Sequence, residues 1–299
     1  MDRKVIGYIC GIAAGVSYGL NPLFAKPLIE EGMPVTVMLL FRYSLSVLMV
    51  LFLMAARKES LRVARKELPQ LALLGILFAF SSIFLFASYL YIPSGLATTL
   101  VYLYPVFVAL IMALLKFYPS WKTWLSIIAT FAGICLLSSP GAGAEVRFLG
   151  VLLSIISALS YALYLVIVNR SKRLRGIPED RLTLYVLIFG SLLFALLRLG
   201  QCVRSGCPFV EGLRSFADFA RLLGLALFPT LISLLTLAVS SRYIGPTKTS
   251  VLGVFEPITA LIIGVMVFSE PFSLRSLLGI VICIASVTFM ILRKEAPGA

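Results

Sequence analysis

Ten apolar stretches, each about twenty residues long and parted by short polar breaks, constrain this chain more than any other feature. They fall near residues 5–27, 33–56, 70–91, 94–115, 122–139, 148–169, 182–201, 217–241, 245–268 and 273–293. A helix of about twenty apolar residues crosses roughly 30 Å of hydrocarbon. It also satisfies its own backbone, as lipid requires. With 299 residues, 60% of them hydrophobic, and a mean hydropathy of +1.04, almost no chain is left for a soluble domain. The expected fold class is an all-α integral membrane protein with ten transmembrane helices, and the lipid bilayer is its first partner. The opening MDRKVIGYICGIAAG has the charge-then-apolar order of a signal peptide. Its apolar run continues to Leu23-Phe24, so it is read as a retained first span.

Charge then sets orientation. The net charge of +13 does not point to nucleic acid, because the positive residues alternate between loops as the positive-inside rule requires. Seventeen of the 26 Lys and Arg residues flank one set of span ends, from Arg3 and Lys4 to Arg293 and Lys294. Seven lie on the other side, and Arg42 and Lys248 lie within spans. Both termini are therefore expected on the cytoplasmic face of the plasma (inner) membrane. Five cysteines and no histidine fit no metal cluster, and no cofactor is expected. Cys202 and Cys207 flank a short turn on the outer side, where they either pair as a disulfide or stand as free thiols.

The chain is also duplicated. A shift of 152 residues lays Tyr91-Ile92 on Tyr243-Ile244, Pro105 on Pro257 and Pro119 on Pro271. A shift of 143 lays Gly7 on Gly150, Ser17-Tyr18 on Ser160-Tyr161 and Asn21 on Tyr164. Two repeats result, residues 1–144 and 145–299. Each holds five spans, an odd number, so the second enters the membrane from the opposite side as an inverted-topology repeat. Pro22, Pro105 and Pro257 are expected helix breaks, since each frees the carbonyl four residues back. Gly7, Gly11, Gly15 and Gly19 recur every fourth residue and suit close helix packing.

Polar residues inside the spans carry the functional expectation. An ionisable group at mid-bilayer costs about 2.5–3.5 kcal/mol on the lenient insertion scale, so it faces a cavity or a partner. Glu256 has three readings: a proton carrier, a binder of a substrate amine, or a structural hydrogen-bond partner. Arg42 pairs with an acid or carbonyl within the bundle, or forks onto a substrate carboxylate. Lys248 either contacts substrate or snorkels to the cytoplasmic interface. Tyr18, Asn21, Tyr102, Tyr161 and Tyr164 complete the candidate binding set, with Tyr89 and Tyr104 as further aromatic candidates and Tyr89 and Tyr91 suited to an interfacial belt.

The runs SYGLNPLFAKPLI and FRYSLSVL, the sixth-span SALSYALYLVIVNR, and GPTKTSVLGVFEPITALIIGVMVFSEPFS together resemble the ten-span EamA-type branch of the drug/metabolite transporter superfamily. The resemblance covers nearly the whole chain and puts Asn21, Lys26, Arg42, Glu256 and Glu270 at polar family positions. It departs at Tyr118-Pro119, where the family often has an acid. It implies a secondary transporter, often an exporter, of small polar metabolites such as amino acids. An anionic-metabolite antiporter is the alternative, since relatives in the superfamily carry nucleotide sugars or triose phosphates. An embedded enzyme fits poorly, because no His, paired Asp or Cys/His set is available for acid–base or metal work. A non-transporting receptor subunit leaves the matched polar positions unexplained. No Walker-type loop is present, so a gradient, proton or otherwise, is the expected energy source. Monomer and homodimer are both compatible with the sequence.

Overall fold

The computed structural model of the chain describes residues 2–116, 121–138, 147–171, 173–174, 176–244, 249, 252–270 and 273–292. Among these the fold is all helical: α1 Arg3–Gly19, α2 Asn21–Glu30, α3 Val35–Ala56, α4 Leu68–Ser88, α5 Ser94–Val101, α6 Tyr104–Leu114 and α7 Trp121–Ser138. There follow α8 Phe148–Arg170, α9 Glu179–Ser205, α10 Phe216–Ala226, a π-helical turn Leu227–Ile232, α11 Ser233–Ile244, α12 Phe255–Phe268 and α13 Leu274–Leu292.

Seven segments among the described residues are long and apolar enough to span a bilayer: Arg3–Glu30, Val35–Ala56, Leu68–Ser88, Ser94–Leu114, Phe148–Val168, Glu179–Ser205 and Phe216–Ser240. Phe255–Phe268 and Leu277–Ser286 are shorter apolar helices. This count is lower than the ten expected. Residues 245–248, 250 and 251 lie outside the described residues; among those described, the ninth stretch contributes α12, with a turn at Gly253-Val254 before it.

Each proline stands where one helix ends and the next begins. Pro22 lies in the first turn of α2, Pro105 in that of α6 and Pro257 in that of α12. The carbonyls left without their usual donors are partly re-satisfied nearby. Asn21 Nδ2 donates to Tyr18 O at 2.9 Å, and the Glu256 N–H donates to Gly253 O at 3.0 Å. The first segment is thereby a bent pair, α1 and α2, and the Ser94–Leu114 segment is another.

Helices from the first half of the sequence pack against helices from the second. The tightest helix pairs are α7 with α13, α1 with α11, α4 with α8, and α3 with α9. A β-carbon at Gly7 would lie 2.9 Å from Tyr243 Cβ, and one at Gly150 would lie 2.8 Å from Tyr91 Cβ. Only glycine allows these backbones so close. Tyr43 and Phe194, both fully buried, meet edge to face at 5.1 Å and lock α3 to α9.

Candidate functional site

Between the helices lies a cavity of about 630 Å³. Its lining includes Tyr18, Arg42, Tyr104, Tyr161, Tyr164 and Glu256, drawn from α1, α3, α6, α8 and α12. Leu53 in the last turns of α3, and Glu179 and Asp180 at the start of α9, line it at one end of the bundle. Since α3 has 22 residues, the α2–α3 corner lies about 33 Å from that end at 1.5 Å per residue. The cavity thus has a mouth at the α3–α4 and α8–α9 end.

Arg42 is 3% exposed. Its Nε donates to Thr230 Oγ1 at 3.1 Å, and its guanidinium lies 5.3 Å from the Phe86 ring centre. No carboxylate among the described residues lies within ion-pair distance of it. Thr230 is positioned by the π-helical turn that follows α10, where Pro229 interrupts regular bonding. A buried guanidinium with neutral partners leaves donors available to whatever enters the cavity.

Glu256 is half-buried and makes no side-chain hydrogen bond or ion pair among the described residues. Its backbone sits against α1: a β-carbon at Gly19 would lie 2.6 Å from Glu256 O. The Tyr18 hydroxyl, on α1, is within electrostatic reach of both the Arg42 guanidinium and the Glu256 carboxylate. Away from Glu179 and Asp180 at the mouth, the described lining therefore holds one positive and one negative group, Arg42 and Glu256, with a phenol near both. Its aromatic side is a cluster: Tyr104 meets Tyr161 at 4.9 Å, Tyr161 stacks on Tyr164 at 5.8 Å, and Phe78 meets Tyr164 at 5.5 Å.

Other candidate residues lie elsewhere. Asn21 is 2% exposed, lies off the cavity lining and is occupied with the Tyr18 carbonyl. Tyr102 is 1% exposed, off the lining, and packs edge-on against Tyr104 at 6.0 Å. The break between α5 and α6 turns the two neighbouring tyrosines into different surroundings. Tyr89 is buried, its hydroxyl 3.3 Å from Thr98 Oγ1, and is not an interfacial residue. Lys248 lies outside the described residues. Cys202 and Cys207 are free thiols with sulfurs 3.7 Å apart. Among the described residues there is no cluster of metal-ligating side chains.

Sequence reasoning passed over Thr230, Phe78, Ser81 and Ser233, all of which line the cavity. The signal was available. The 152-residue shift carries Phe78 onto Thr230, Ser81 onto Ser233, and Tyr104 onto Glu256.

The profile of the EamA-like transporter family matches residues 5–139 and again residues 148–292. An uncharacterized transporter of Archaeoglobus fulgidus is 28% identical over 193 residues, 64% of this chain and 65% of that one. The uncharacterized transporter YdfC of Bacillus subtilis is 27% identical over 248 residues, 82% of this chain and 78% of that one. The uncharacterized transporter sll1319 of Synechocystis is 27% identical over 228 residues, 75% of this chain and 67% of that one. A crystal structure 18% identical superposes with a TM-score of 0.64 over 95% of both chains, a likeness of fold alone. Two family matches that together span nearly the whole chain, on a bundle of membrane-length apolar helices, identify a multi-pass integral membrane protein that belongs to the EamA-like transporter family.

Proposed function

We propose that this protein is a secondary transporter that exports a small zwitterionic metabolite, such as an amino acid or related compound, by alternating access. The observation that carries the substrate class is Arg42, buried in the cavity with no acid at ion-pair distance among the described residues. A substrate carboxylate supplies the missing charge and accepts the planar fork. Glu256, in the same cavity, faces the amine, and Tyr18 bonds between them. Tyr104, Tyr161 and Tyr164 give the side chain an aromatic wall. The dianionic sugar-phosphate reading is weaker, because Glu256 repels such a ligand.

Two inverted five-helix halves, residues 1–144 and 145–299, make up the ten-span frame in this reading. Support comes from contacts that exchange between the halves. Gly7 meets Tyr243-Ile244 while Gly150 meets Tyr91-Ile92. Ser233 Oγ bonds Ala14 O at 3.1 Å, while Ser81 Oγ lies 3.2 Å from Ser157 Oγ. Each pair maps onto the other under the 143 and 152 shifts. With both termini cytoplasmic, the cavity mouth beside Glu179 opens to the cytoplasm of a cell bounded by the inner membrane, as loading for export requires. Glu256 is the proposed proton site for coupling to the proton gradient, and the substrate leaves chemically unaltered.

Purified protein in proteoliposomes with an imposed proton gradient tests this. Amino-acid flux by Glu256→Gln is expected to fall at least about tenfold and to lose its pH dependence; tenfold corresponds to about 1.4 kcal/mol. Unchanged flux with an unchanged pH profile would remove Glu256 from coupling. A panel in which only dianions move would overturn the zwitterion reading.

A further inference from the structure

At the end of the bundle away from the cavity mouth, one carboxylate ties three helices together. Glu270 follows α12 and is 9% exposed. Lys26 Nζ, on α2, lies 2.8 Å from Glu270 Oε1. The Ser94 N–H and hydroxyl donate to the same oxygen at 2.9 and 2.7 Å, and the Gly95 N–H donates to Oε2 at 3.4 Å. Ser94 and Gly95 open α5. The carboxylate is held in place by its own segment: Ser269 takes a left-handed turn with φ 51°, and the Glu270 N–H caps Gly264 O at 2.9 Å. Lys26 also lies 4.6 Å from the Phe268 ring centre and 3.8 Å from Glu30.

A buried ion pair adds little net stability against an apolar pair of the same shape, but leaving one partner alone is costly. This cluster is satisfied when α2 and α5 of the first repeat meet the end of α12 of the second. Part those helices, and both charges must be hydrated again. The arrangement therefore favours two states, closed and bonded or open and wet, over intermediate ones.

The positions that the repeat shifts relate to this cluster carry no such charges at the other end. Shifting Glu270 by 152 lands on Tyr118, and shifting Lys26 by 143 lands on Asn169. An ion pair between the halves at that end, Arg57 Nη1 to Asp180 Oδ2 at 3.5 Å, is solvent-exposed and correspondingly weak. We infer that Lys26, Glu270 and the first turn of α5 form a one-sided latch, which keeps the face away from the mouth shut and makes mouth-open the resting state. The inference rests on the alternating-access reading above. It adds an asymmetry that the duplication does not supply: the latched face opens only when this cluster is broken.

The test uses Val101→Cys, a cavity-lining reporter, in full-length protein whose native cysteines at 10, 135, 202, 207 and 283 are replaced. A membrane-impermeant maleimide is added to each face of oriented vesicles in turn. The parent is expected to react from the mouth side. Glu270→Gln should raise the rate from the latch side about tenfold and lower it from the mouth side. Lys26 is not stranded by this change, since Glu30 remains beside it. Gly264→Ala keeps every charge but drives a methyl into the Glu270 carboxylate, so it should shift accessibility in the same direction. Latch-side rates equal to the parent in both variants, with mouth-side labelling retained, would overturn the latch and leave the transport reading intact. A parent that reacts equally from both faces would overturn the latch, since alternating access alone exposes the cavity to each face in turn. A parent that reacts from neither would contradict alternating access itself and the latch with it.

Discussion

Arg42→Met is expected to reduce flux about 100-fold while leaving the folded protein as stable as before, or more so. The two halves of this result have different causes. Losing one partner of a buried charged hydrogen bond across a binding site costs roughly 2–5 kcal/mol of affinity, and 100-fold is near the lower bound of that range. Stability moves the other way, because the substrate-free protein buries the guanidinium with a threonine hydroxyl at 3.1 Å and the Phe86 ring as partners. Taking a charge out of water costs several kcal/mol after relaxation, and methionine removes that cost at similar length. Flux in proteoliposomes and thermal unfolding in detergent, measured on one preparation, separate the causes. A structural arginine would give the reverse pattern, with stability falling and flux per folded molecule preserved.

Gly19→Leu is the second large effect, and it acts on folding. A β-carbon there would lie 2.5 Å from Thr259 Cβ and 2.6 Å from Glu256 O. The second of these is backbone, which cannot rotate away. α1 must then separate from α12, opening the contact that sets Glu256 beside Tyr18. Overpacking costs about 1–3 kcal/mol and sometimes more, so an unfolding midpoint lower by about 10 °C, or an aggregated product, is expected. Gly200→Ala is the control. It sits in α9 with nothing within 4 Å of a new β-carbon, and alanine in a helix interior should be neutral or stabilising by up to about 1 kcal/mol. Equal loss in both variants would remove close approach as the cause.

Much of the frame was legible in the sequence because apolar run length and proline position are local signals. The glycine series of α1 was legible for the same reason, and all four members are buried. Partners were not legible. Arg42 meets Thr230 across 188 residues, and Lys26 meets Glu270 across 244; nothing in either local pattern names the other end. Asn21 shares a helical face with Tyr18, which suggested a common cavity. The carbonyl that Pro22 frees instead claims the Asn21 amide. Tyr102 and Tyr104 are two residues apart, yet a helix break between them puts just one on the cavity. The duplication carried more information than the local reading took from it. Applied to Phe78 and Ser81, the same shift points directly to Thr230 and Ser233.

The central claim is that two halves lie upside-down to each other around the cavity. Single cysteines at Glu31, in the α2–α3 corner, and at Arg173, in the α8–α9 connection, test it most directly. With an impermeant maleimide on intact cells, the account predicts that position 31 labels from outside and position 173 labels only after the membrane is opened. Labelling of both positions from the same face would contradict it.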